Sequence, residues 1–69
     1  MDIMQEYIKA LRNGKSYDWI VNNGHELNKY ELIDVIKELD YAIYMLSGTD
    51  NTTIYHFVAE NLEDTYKEE

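Results

Sequence analysis

Apolar residues recur at steps of three and four along most of this chain, and that spacing predicts helices. The longest run lies at 27–46, LNKYELIDVIKELDYAIYML. There Leu32, Val35, Ile36, Leu39, Ala42, Ile43 and Leu46 share one side of a helix, the side expected to face the core. Asn28 can cap the first turn, and Glu31, three residues on, can close a capping box on the Asn28 amide. Leu27 and Leu32 are placed for a hydrophobic staple. Gly48 can take the left-handed conformation that ends helices.

The same periodicity predicts a first helix over 2–12, with Met4, Tyr7, Ile8 and Leu11 on its inner face and Ile3 and Ala10 at the edges. Asp2 is its expected cap, Gln5 sits at the capping-box position, and Asn13-Gly14 stops it. Residues 16–22 fit a short second helix capped by Ser16, with Trp19, Ile20 and Val21 as an apolar plug and Trp19 in the core. Asn22-Asn23-Gly24 is a turn signal. After the loop 47–51, with Asp50 or Asn51 as cap, residues 52–66 predict a fourth helix that buries Ile54, Phe57, Val58 and Leu62, with Tyr66 in line. Residues 52–58, rich in β-branched and aromatic side chains, would also fit a strand, but Ala59, Leu62, Glu60 and Glu63 favour the helix.

The other faces of the 28–46 helix are more specific. Glu31, Asp34, Glu38, Tyr41 and Met45 form an acidic stripe that ends in an aromatic ring and a thioether. Tyr30, Asp34, Lys37, Tyr41 and Tyr44 form an overlapping one. Charged residues opposite an apolar stripe are usually a solvated face. Tyrosines among them suggest a contact surface, because tyrosine is enriched where proteins meet.

Composition narrows the class. Sixty-nine residues make one small domain, with a C-terminus expected to fray over 66–69. A chain of this size buries only about 60% of its unfolded surface, so packing or a second chain has to make up its stability. There is no cysteine, which excludes disulfides and thiolate zinc sites. Fourteen acids against six Lys and Arg give a net charge of −8, which repels nucleic-acid phosphates and anionic membranes. Five of the acids (Glu60, Glu63, Asp64, Glu68 and Glu69) cluster in the last ten residues against Lys67 alone. No apolar run reaches the roughly 20 residues of a membrane span. The opening MDIMQEYIKAL lacks the basic start and apolar core of a signal peptide, so the expected location is cytoplasmic.

No catalytic constellation stands out. His56 and Glu60 would share a helix face, with His25 elsewhere, but the spacing completes no metal site. Ser16 and Ser47 lie where helix ends want small polar residues. Gly14-Lys15-Ser16 lacks the earlier glycine of a phosphate loop. A helix-turn-helix over 16–46 would present Asp34 and Glu38 to the DNA groove, the wrong charge for it. The expectation is therefore an all-α protein, a compact array of three to four helices around one long central helix at about 28–46. Functionally it is expected to be a non-catalytic, cofactor-free protein-binding module. In that role it covers a basic, nucleic-acid-binding surface of a partner protein, as a phage-type anti-defence or regulatory factor would. The contact is expected at Glu31, Asp34, Glu38, Tyr41, Tyr44, Glu60, Glu63 and Asp64. The alternative is a homodimeric structural or regulatory protein, such as a small antitoxin or assembly factor, with the 27–46 helix as its seam.

Overall fold

The computed structural model describes residues 2–67. Four α-helices form: α1 (Ile3–Arg12), α2 (Ser16–Asn23), α3 (Lys29–Met45) and α4 (Asn51–Thr65), with a 3-10 turn over Gly24–Glu26 between α2 and α3. The all-α expectation holds, and 52–58 opens a helix rather than a strand.

The helix ends follow from short-range chemistry. The Asp2 carboxylate accepts from the Met4 amide at 3.1 Å. At α3 the box closes in both directions: the Glu31 amide donates to Asn28 Oδ1 at 2.8 Å, and the Asn28 amide donates to Glu31 Oε1 at 2.9 Å. Asp50 caps α4, accepting from the Thr53 amide at 2.7 Å. These bonds satisfy amides that have no partner inside a helix. At the end of α1 the Lys15 amide reaches Ala10 O and the Gly14 amide reaches Leu11 O, at 2.8 and 3.2 Å. That is a Schellman closure, and Gly14 takes the φ of +71° it requires. Gly48 is also left-handed, at φ +93°, in the turn that follows α3.

Two expected caps are corrected. Gln5 closes no box; its side-chain amide donates to Tyr66 O at 2.7 Å and ties α1 to the end of α4. Ser16 is the first helical residue of α2 and is buried, while Lys15 stands at the cap position with no side-chain bond. The α1 closure fixes the backbone there and leaves no room for a serine cap.

The core is built from Met4, Tyr7, Ile8 and Leu11 of α1, Val58, Ala59 and Leu62 of α4, Val35 and Ala42 of α3, and Leu27. Trp19 packs half-buried against it, its ring 5.3 Å from that of Tyr7 at a tilt of 55°. Burying each large side chain contributes about 1.5–3 kcal/mol. Helix α4 packs extensively against both α1 and α3, and α2 leans on α1.

The expected inner face of α3 is corrected. Of its seven apolar residues only Val35 and Ala42 are buried, and Leu39 and Leu46 are half-covered. Leu32, Ile36 and Ile43 are exposed, at 36%, 56% and 57% of their surface. The helix docks on α4 by an edge centred on Val35 and Ala42, and at 100° per residue the exposed stripe lies about 90° further round. One neighbouring helix covers one edge, and among the described residues α4 is the only extensive neighbour α3 has. The fraying expected over 66–69 includes Glu68 and Glu69, which lie outside the described residues. Tyr66 itself is fastened to both α1 and α3.

Candidate protein-binding surfaces

The acidic stripe lies on the α4 side of α3. The Tyr66 hydroxyl donates to Asp34 Oδ2, and Asn61 Nδ2 donates to Glu38 Oε2 at 3.0 Å. Glu31 is engaged in its own capping box. All three carboxylates are half-buried. Tyr41 and Phe57 meet across the same contact, with ring centroids 6.0 Å apart and a tilt of 33°. The edge of α4 that carries Phe57 and Asn61 continues, at three- and four-residue steps, to Glu60 and Asp64, both exposed. The structure thus brings Asp34, Glu38 and Tyr41 together at the contact with α4, while Asp64 is exposed and Glu60 lies beside Arg12 of α1. It turns Glu63 toward α1, where Arg12 lies 3.6 Å from Glu63 Oε2 and 3.5 Å from Glu60 Oε1. Such exposed pairs contribute little to stability. Tyr44 is separate: it is 79% exposed and belongs to the outer face.

Two tyrosines have their ionisation suppressed. Burial, with Tyr55 nearby, pushes the Tyr7 hydroxyl up to about 12. Tyr66 shifts the same way, through burial and then through its bond to the Asp34 carboxylate. Asp50 is held below the usual carboxylate range by the Thr53 amide.

The second surface is the outer face of α3. Leu32, Ile36 and Ile43 line it, Ile33 (41% exposed) and Tyr44 extend it, and Lys29, Lys37 and Asp40 are interspersed. All of these sit on one helix, boxed at its start and about 25 Å long at 1.5 Å per residue. The largest apolar patch on a monomer is often a contact site. Pattern reading assigns this surface to the core. A signal for it was present: Ile33 and Tyr44 widen the apolar arc of the helix beyond what one neighbour covers.

Other chemistry is sparse. Among the described residues no group of three or more His, Asp or Glu side chains gathers to hold a metal ion. His56 and His25 are both exposed, and the Arg12 guanidinium lies beside Glu60. An open groove of about 500 Å³ between α1 and α2 is lined by Trp19, Ala10, Lys9, Lys15, Glu6 and Asp18, where opposite charges offset each other. Among the described residues no helix is long and apolar enough to cross a membrane. No protein-family model matches the chain, and no curated protein and no solved structure matches it either.

Proposed function

We propose that this chain is a small non-catalytic protein-binding module that docks through the outer face of α3. One observation carries this: Ile36 and Ile43 are each more than half exposed on a rigid, capped helix whose other edge is already packed. Leaving two isoleucines in water forfeits several kcal/mol of burial that a partner can recover. A lysate pull-down tests it with the chain and two variants. Ile36→Lys with Ile43→Lys should release captured protein at least about tenfold, since a buried lysine is costly at an interface. Asp34→Asn with Asp64→Asn should retain it. Equal capture by all three would overturn the α3 assignment.

A second reading rests on the α3–α4 edge. Asp34 and Glu38 lie at this contact with Tyr41, Asp64 is exposed on α4, and this acidic edge could cover a basic surface that normally receives nucleic-acid phosphates. The internal bonds of Asp34 and Glu38 hold them in fixed positions but also occupy part of their accepting capacity. This reading predicts the opposite pull-down pattern, with the carboxamide variant losing its partner and the loss mimicked by salt.

A further inference from the structure

We infer that the occupant of the outer α3 face is a second copy of this chain, packed α3 against α3 in antiparallel fashion; the inference rests on that face being a docking surface. The first ground is spacing. Leu32, Ile36, Leu39, Ile43 and Leu46 follow one another at steps of four, three, four and three, the 3.5-residue repeat of a coiled-coil seam. Such a seam keeps facing one partner helix; here Leu32, Ile36 and Ile43 present it in full, and Leu39 and Leu46 only by the part of their surface that the chain's own fold leaves open.

Self-complementarity is the second ground. An antiparallel pair centred between Lys37 and Glu38 sets Leu32 opposite the partner's Ile43 and Ile36 opposite the partner's Leu39. The two-fold axis repeats both layers, so each isoleucine faces a leucine. On the open flank Lys37 comes within a turn of the partner's Asp40, and the symmetric contact forms with it.

Charge is the third. A chain of −8 repels its own copy over most of its surface. On the outer face of α3 this repulsion is weak, because Lys29 and Lys37 offset Asp40 there, while Glu31, Asp34 and Glu38 lie on the other side of the helix. A partner with a basic surface finds only Asp40 to pair with at this face, whereas a like chain meets there a much smaller like charge than elsewhere. Area sets the scale: residues 32, 33, 36, 43 and 44 present on the order of 500 Å² per copy, so a symmetric pair buries at most roughly 1,000 Å², the size of weak, transient interfaces. An affinity in the micromolar range is expected.

Sedimentation equilibrium from about 5 μM to about 500 μM should show the mass rising toward the dimer. Ile36→Lys with Ile43→Lys should weaken association at least about 100-fold while leaving the helical circular dichroism unchanged, since both positions are exposed. Direction is read separately, and the absence of native cysteine makes it clean. Leu32→Cys and Ile43→Cys chains, mixed and oxidised, should form the mixed disulfide in preference to either symmetric one. Preferential symmetric disulfides, or a dimer that survives the lysines, would overturn this interface. A chain that stays monomeric throughout, yet releases a captured protein when the lysines are introduced, would overturn the second copy and leave the docking face standing.

Discussion

Single side chains in this protein divide sharply into those that hold the fold and those that do not. Asn28 makes a reciprocal pair of bonds with Glu31 at the start of α3, so Asn28→Ala should cost about 1 kcal/mol in urea unfolding. Leu62 is fully buried between α1 and α3, and Leu62→Ala should cost about 2–5 kcal/mol, enough to unfold much of a domain this small. Tyr7 sets the alkaline limit. Its folded value is raised, so its contribution is complete below the ordinary tyrosine range near 10 and is lost as pH rises through about 12. Urea midpoints should therefore hold to about pH 10 and fall beyond it, and Tyr7→Phe should flatten part of that fall. A midpoint that stays level to about pH 12 in the native chain would contradict the burial of that hydroxyl.

At the scale of elements, the contact between α3 and α4 is directed by polar groups as much as by apolar ones. Tyr66 and Asn61 of the α4 segment bond Asp34 and Glu38, and these contacts turn the acidic side of α3 inward. Tyr66→Phe and Asp34→Ala should each cost about 1 kcal/mol, and the double variant should cost less than their sum, because one bond is lost in all three. The elements themselves were legible in the sequence, since caps and stops are local: Asp2, Asn28, Asp50 and Gly14 act within a few residues of themselves. Ser16 was misjudged because the closure at the end of α1, not the serine, fixes the start of α2. The inner edge of α3 was not legible for a further reason. Periodicity identifies an apolar arc but not which part of it a neighbour covers. Here that depends on Asn61 and Tyr66, more than twenty residues away. Likewise the acids of α3 and α4 were identifiable as residues, but the packing decides their partners: Asn61 and Tyr66 for Glu38 and Asp34, and Arg12 for Glu60 and Glu63.

The whole molecule is a small core with one face left over. Four helices over 66 described residues enclose Met4, Ile8, Leu11, Val58 and Leu62, and α3 still presents a continuous row of aliphatic side chains to water. For a domain of marginal size, that row is both a liability for aggregation and a place for a second chain. The most direct test is a pair of thermal melts by circular dichroism at about 5 μM, where association is weak, comparing the native chain with its Ile36→Lys, Ile43→Lys variant. The same helical signal and melting temperatures within a few degrees are expected, because exposed substitutions change stability by only about 0.5 kcal/mol. A variant that is unfolded at that concentration would show that these isoleucines belong to the chain's own core and would contradict the docking face.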